Sequence, residues 1–297
     1  MIIVALKGGH SNQLFQYATG RRLAHQLGVD LFMDLHWFKT AKQTGPFKRF
    51  YELGDYTLPQ KFIDRKDFAL VENKPGNLKT KLYDLTKGKT KPRIKHFFVE
   101  DEKILFDKRV LSLPDNTYLE GFWQNEKYFS DIKSLLLKDF EPVKPLSKKN
   151  REYLKQIKST DSISLHVRRE DYISVEHYKN FHGLMSLDYY KAALELVRKK
   201  SGAKNPHIFI MSKDLDWCKE NIKLNYPTIF IEGNKSGSDD MRLMKQCNHN
   251  ILANSSFSWW GAWLNQNPNK VVVAPKNWFQ DESANSQIQL PSEWLRI

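Results

Sequence analysis

Three stretches of the chain hold residues that could do chemistry, and each follows an apolar run. In ISLHVRREDY, residues 163–172, a histidine, two consecutive arginines and an acidic pair come after the run. An arginine placed there can clamp diphosphate oxygens through bidentate, charge-assisted bonds. On an extended chain Arg168 and Arg169 face opposite ways, so one reaches a ligand and the other pairs with Glu170 or Asp171. A surface ion-pair cluster would also account for this stretch taken alone. In HNILANSSFSWWGAWLN, residues 249–265, a strand gives way to a helix through Asn254, Ser255 and Ser256. Small hydroxyls and the N–H groups of a helix start converge there, which suits an anion. An N-cap serine ahead of a core-packing helix is the plainer account, and Trp260 and Trp263, three apart on one face, read as core. In LKGGHSNQLFQYATGRR, residues 6–22, Gly8 and Gly9 permit a tight turn, and Asn12 and Gln13 offer amides at the start of a helix. The GxGxxG spacing is missing and no GxxxxGK[ST] occurs, so neither a nicotinamide enzyme nor a P-loop enzyme is supported.

The elements around these stretches are those of an α/β protein. Ile2 to Leu6 reads as a buried strand, the helical period from Leu14 to Leu27 stops at Gly28, and Val29 to Met33 resumes a strand. Pro46, Pro59, Pro75 and Pro92 interrupt the next region. Between Gly76 and His96 seven Lys or Arg stand against one acidic residue, a solvated basic face. A strand is predicted from Thr117 to Phe122 and a helix from Glu126 to Lys138. The proline- and lysine-bearing EPVKPLSKKN, residues 141–150, reads as a linker, dividing the chain into domains 1–145 and 146–297. Beyond it, strands at Ser162–Val167, His207–Met211, Thr228–Ile231, Ile251–Asn254 and Val271–Ala274 alternate with helices at Leu187–Lys199, Leu215–Asn221, Asp240–Cys247 and Phe257–Asn265. This is the pattern of a doubly wound sheet. Ligands of such sheets bind beyond the carboxyl ends of the strands, and all three stretches stand at strand ends.

Composition bounds the function. A chain of 297 residues, 40% hydrophobic and 13% aromatic, has enough to bury for two cores, which argues against disorder. The formal charge of +13 attracts a polyanion, an acidic membrane face or a nucleotide sugar alike. No nucleic-acid fold motif accompanies it, so no nucleic-acid partner is expected. Cys218 and Cys247 lack metal-ligand spacing and read as reduced and structural. The opening MIIVALKGG is too short for a secretory core, and nowhere do 18 apolar residues run together, so a cytoplasmic protein is expected, with at most peripheral membrane contact.

The stretches GGHSNQLFQYATGRRLA, GFWQNEKYF, HVRREDY, HNILANSSFSWWGAWLN and VVVAPKNWF, in this order between residues 8 and 279, resemble motifs of the bacterial alpha-1,2-fucosyltransferases of glycosyltransferase family 11. The resemblance implies a GT-B-type enzyme with two Rossmann-like domains, inverting, independent of metal and without a cofactor. GDP-beta-L-fucose would be the donor, and the acceptor the 2-hydroxyl of a galactose in an O-antigen repeat or related surface glycan. A lipid-linked glycan at the cytoplasmic face of the inner membrane is one such acceptor. The carboxy-terminal domain would hold the donor, and the amino-terminal domain would shape the acceptor side.

By the same resemblance, Arg168 binds the diphosphate, His166 lies against the nucleotide, and Asn254, Ser255 and Ser256 stand on the phosphate side, followed by Phe257. Asp240 matches the acid that accepts guanine N1–H and N2–H, with helix capping as its competing role. Gly9, His10 and Asn12 form the turn from which Asn12 reaches the donor. Asp171 and Glu126 are the candidates for general base, and Asp171 could instead lock Arg168. Two positions depart from the motifs. The turn reads GGHSNQ rather than GGLGNQ, which Ser11 tolerates only without a strongly positive φ. Glu170 replaces the glycine of HVRRGDY and is expected to point outward or to pair with Arg169. Competing functions are transfer from another guanosine or uridine diphosphate sugar on the same architecture, and a nonenzymatic basic module for nucleic acid or an anionic surface.

Overall fold

The computed structural model describes residues 1–42, 48–70, 93–101, 106–169, 183–280 and 290–297. The chain forms two compact units, Met1–Glu141 and Pro142–Ile297. In the first, β1 (Ile2–Ala5), α1 (His10–Leu27) and β2 (Leu31–Asp34) form the expected strand–helix–strand unit. After α2 (His36–Thr40), the short strands β3 (Ala69–Leu70) and β4 (Arg93–Ile94) pair with each other. Then come β5 (His96–Val99), β6 (Thr117–Glu120) and α3 (Lys133–Asp139). The main sheet is parallel, in the order β2-β1-β6-β5.

Every residue of β1 is buried, as a central parallel strand covered on both faces requires. Helix α1 approaches it closely through Gly20, where an added Cβ would sit 2.9 Å from Leu31 and 3.2 Å from Val4. Gly28 caps α1 in the left-handed region at φ 66°. Ser11 lies in the first turn of α1, away from positive φ, so its replacement of a glycine carries no backbone strain.

The single helix expected from Glu126 to Lys138 is instead two 3-10 turns, Glu126–Tyr128 and Ser130–Ile132, leading into α3. Tyr128, Phe129 and Ile132 are all buried. Phe129 takes φ −151° to put its ring inward, which no α-helix accommodates.

The second unit contains α4 (Lys148–Lys158), β7 (Ser162–Val167), α5 (Leu187–Ser201), β8 (His207–Ser212), α6 (Leu215–Asn221), β9 (Thr228–Phe230), α7 (Gly237–Met244), β10 (His249–Ile251), α8 (Ser256–Trp263), β11 (Val272–Ala274) and β12 (Leu295–Arg296). Its sheet is parallel, in the order β12-β11-β10-β7-β8-β9. The sheet separates two cores, and β8 contributes to both. Ile163, Leu165 and Val167 pack against Tyr190, Ala193, Leu194 and Val197 of α5, while Phe209 and Met211 of β8 face Tyr153 and Ile157 of α4.

Helix α4 starts inside the segment expected to be a linker. Its buried stripe is only Asn150, Tyr153 and Ile157, too thin for periodicity to reveal. Helices α7 and α8 cross at Gly261, where a Cβ would fall 2.0 Å from the Met244 sulfur. Cys218 and Cys247 are buried free thiols. Among the described residues no helix is long and apolar enough to cross a membrane.

Candidate active site

The chain of the second unit runs from β7 outward through β8 and β9, then returns to the other side of β7 as β10. The order therefore reverses between β7 and β10, and the crevice beyond their carboxyl ends is where an open parallel sheet admits a ligand. His166 and Arg168 leave β7 at this point, and Asn254, Ser255 and Ser256 follow β10. The register pairs Leu165 with Ile251, so the two polar segments emerge side by side.

His166 is 5% exposed, and its ring centroid lies 5.3 Å from that of Phe257. Burial, aided by the Arg168 charge, holds the imidazole pKa down at about 3, so it is neutral at ordinary pH. Among the described residues its buried Nδ1 has no hydrogen-bond partner, the condition of a group that a ligand would complete. Arg169 turns away. Its guanidinium lies 3.6 Å over the Trp217 ring, and its Nε is 3.4 Å from Asp214, which pairs with it among the described residues. Glu170 and Asp171 lie outside the described residues.

Asn254 is fully buried and donates to the carbonyls of Gly183 and Trp278 at 3.3 and 3.1 Å, tying two loops to the end of β10. Ser255 is the N-cap of α8, its hydroxyl accepting from the Phe257 N–H at 3.3 Å. Ser256 and Phe257, the first helical residues, are half-buried. The positive end of α8 thus opens on the same crevice as Arg168. Trp259, Trp260 and Trp263 are buried behind it.

Asp240 occupies the first turn of α7, half-buried. It does not cap the helix: the N-cap position is Ser236, and the Asp240 carboxylate accepts from Asn234 Nδ2 at 2.7 Å. Burial pushes its pKa up to about 6, against the opposing effect of that hydrogen bond; Asp239 raises it further and Lys213 lowers it.

In the first unit the order reverses between β1 and β6, and the turn after β1 meets the loop after β6. Gly8 is left-handed at φ 75°, with Asn12 Nδ2 2.8 Å from where a Cβ would lie. Gly9 is the N-cap of α1 and has Arg49 Nη1 3.2 Å from its own Cβ position. Asn12 Oδ1 accepts from Gln124 Nε2 at 2.8 Å, and Lys7 Nζ stands 4.8 Å over the Phe122 ring.

Gln16 braces the turn from beneath, accepting from the Lys7 N–H at 3.0 Å and donating to the Lys7 carbonyl at 3.2 Å. His10 packs inward: it is 8% exposed, stacked on Tyr56, and its Nε2 and the Tyr56 hydroxyl share a hydrogen bond at 2.8 Å. Its replacement of a hydrophobe in the turn therefore serves packing. Glu126 is half-buried in the 3-10 turn that Asn125 caps.

The structure thus brings together Arg168, His166, Asn254, Ser255, Ser256 and Phe257 in one unit, and Gly9, Asn12 and Gln124 in the other. Gln124 and Asn234 were not singled out from sequence. Gln124 sits within GFWQNEKYF, whose motif character is the signal that could have marked it; nothing local marks Asn234. Among the described residues no group of three or more His, Cys, Asp or Glu is placed to hold a metal ion.

Two parallel α/β units of this kind make up a GT-B-type glycosyltransferase fold. A solved structure of POFUT1 in complex with GDP-fucose matches it with a TM-score of 0.50 at 14% identity, over 92% of this chain and 97% of that one. The profile of glycosyl transferase family 11 matches residues 1–297, and the chain belongs to that family. An alpha-1,2-colitosyltransferase of Escherichia coli is 31% identical over 100% of this chain and 99% of its own length. The O-antigen biosynthesis glycosyltransferase WbnK of Escherichia coli is 28% identical over 98% and 99%.

Proposed function

We propose that the protein transfers L-fucose from GDP-beta-L-fucose to the 2-hydroxyl of an acceptor sugar, galactose in a surface glycan or O-antigen repeat, with inversion and without metal. The observation that carries this reading is the convergence of Arg168, the neutral His166 and the amino end of α8 on the β7–β10 crevice. The unit from Pro142 holds the donor, with Asp240 accepting the N1–H and N2–H of guanine, a donor pair that adenine lacks. The unit ending at Glu141 shapes the acceptor side, with Asn12 on its glycine turn. An acceptor presented on lipid at the cytoplasmic face of the inner membrane suits the basic chain.

In the reaction the acceptor oxygen forms a bond to the anomeric carbon as the bond from that carbon to the diphosphate oxygen breaks. The hydroxyl proton passes to a base, for which Asp171 and Glu126 are the candidates. Negative charge grows on the departing GDP, where Arg168 and the donors around Ser255 and Ser256 stabilise it. A cationic clamp of this sort does the work that a divalent ion would otherwise do.

The test is incubation with GDP-fucose and galactose-terminated glycans, with mass and linkage analysis of products. A 2-linked fucoside is expected; transfer from UDP-sugars alone, or no transfer with tight duplex binding, would overturn the reading. The relative named for colitose transfer favours a second reading, in which the sugar transferred is colitose. A parallel incubation with GDP-colitose separates the two.

A further inference from the structure

Helix α4 holds the loop between β9 and α7 at several points. The Tyr153 hydroxyl donates to the Phe230 carbonyl at 3.2 Å and accepts from the Glu232 N–H at 3.4 Å, and Lys149 reaches the Glu232 carboxylate at 3.3 Å. Gly233, at φ 83°, turns the loop so that Asn234 points back toward the helix. There Asn150 Nδ2 donates to Asn234 Oδ1 at 2.8 Å, and Asn234 Nδ2 donates to Asp240 Oδ1 at 2.7 Å.

This row of groups has only one workable direction. An ionised carboxylate accepts and never donates, so Asn234 must offer its N–H to Asp240 and turn its oxygen to Asn150, which must then offer its own N–H. Asn150 is 1% exposed, and a buried amide is costly unless it is hydrogen-bonded. Among the described residues its Nδ2 bonds to Asn234 and its Oδ1 is buried without a partner, so the bond to Asn234 is the one that holds the amide.

Each carboxylate oxygen has two acceptor sites, so one bond to Oδ1 fixes the plane of the carboxylate and leaves sites on both oxygens for a ligand. Resting on the base-recognition role given to Asp240 above, we propose that Asn234, oriented by Asn150, is a positioning residue for base selectivity. It holds the Asp240 carboxylate in the plane and charge state that accept the N1–H and N2–H pair of guanine. Burial and Asp239 favour the protonated acid, and Lys213 and Asn234 favour the anion. Removing Asn234 therefore costs both orientation and charge.

The experiment measures binding of GDP, inosine diphosphate, ADP and pyrophosphate to the full-length protein between pH 5 and 8. Inosine diphosphate lacks the N2–H, and the GDP-to-ADP ratio cancels titration of the shared diphosphate. Asn234→Ala should lower the preference for GDP over inosine diphosphate about tenfold, the scale of one hydrogen bond to a charged group. It should also move the midpoint of the GDP-to-ADP ratio upward by about one pH unit, since a bond to the anion is lost. Pyrophosphate affinity should not change. Asn234→Ser keeps a donor and should fall between; Asn150→Ala should shift both readouts in the same direction by less.

A wild-type GDP-to-inosine-diphosphate ratio and midpoint in Asn234→Ala, alongside loss of both in Asp240→Asn, overturns the positioning role and spares the base-recognition reading. If Asp240→Asn itself keeps the guanine preference, that reading fails and the proposal with it. Should Asn234→Ala melt below the assay temperature, Asn234→Ser and Asn150→Ala decide, and wild-type ratios in both overturn the proposal.

Discussion

Arg169 lies face-on over Trp217, its guanidinium carbon 3.6 Å from the ring centroid, while its neighbour Arg168 leaves β7 on the side of His166. Arg169 is engaged by Trp217 and Asp214, and the leaving-group role proposed above falls to Arg168.

Substitution should separate these duties. Arg168→Ala is expected to cut turnover at saturating GDP-fucose by roughly 100–1,000-fold with an unchanged melting temperature, the effect of removing a positioned donor. Arg168→Lys restores charge but not the planar fork and should recover only part. Arg169→Ala should instead lose stability, by about 1–2 kcal/mol for a desolvated cation–π contact, with a smaller effect on turnover. Near-native turnover in a normally melting Arg168→Ala protein would remove Arg168 from the site.

Asp240 predicts a pH dependence of donor binding. With its pKa pushed up to about 6, the carboxylate is ionised at pH 7 and protonated at pH 5. The GDP-to-ADP affinity ratio should therefore fall as pH drops through 6. In Asp240→Asn the ratio should be low and flat with pH, while pyrophosphate binding persists. Calorimetric titration at four or five pH values checks this.

His10 predicts a pH dependence of stability. Burial depresses its pKa from 6.5 to about 4 in the folded state, so the unfolded chain takes up the proton first. Stability from this group is fully present above pH 6.5 and is lost as pH falls toward 4, on the order of 3 kcal/mol in all. The His10→Phe protein should show a shallower fall in melting temperature between pH 7 and 5. An identical slope in both proteins would show that His10 does not titrate in this range.

The crossing of α7 and α8 is set by a glycine. Gly261→Ala puts a methyl group where the Met244 side chain now lies, and overpacking of this kind typically costs about 1–3 kcal/mol. Met244→Ala in the same chain should relieve part of that cost, giving a double variant more stable than the sum of the singles. Thermal melts of the four proteins close the cycle.

Chelation tests the cationic clamp directly. Transfer should continue in excess EDTA, and a complete loss restored by Mg²⁺ or Mn²⁺ would require a metal site among residues not considered above.

Local pattern sufficed where a segment answers mainly to its own sequence. Helix α6 spans Leu215–Asn221 as read, β7 spans Ser162–Val167 as read, and the alternation beyond residue 160 implied the sheet that makes β7 and β10 neighbours. Expectation failed where partners distant in sequence decide. The Glu126–Lys138 region broke into turns because Phe129 is drawn inward, and α4 escaped notice because its buried stripe includes an asparagine whose partner lies 84 residues away. The contacts of Arg169 with Asp214 and Trp217 also join residues distant in sequence. No spacing rule joins residues on successive strands of a sheet until the register is known.

The indoles behind the amino end of α8 give the molecule an optical property. Trp259 and Trp263 are stacked at 6.0 Å and 12°, Trp260 stands at 77° to Trp263 at 5.2 Å, and Trp294 approaches Trp259 at 5.6 Å. The transitions of rings this close couple, so the near-ultraviolet circular dichroism expected of the group depends on the angles between its members. Phe257, which touches His166, is two residues from the first of these indoles. A ligand that shifts the first turn of α8 should therefore change the tryptophan signal, a readout of the crevice that needs no dye.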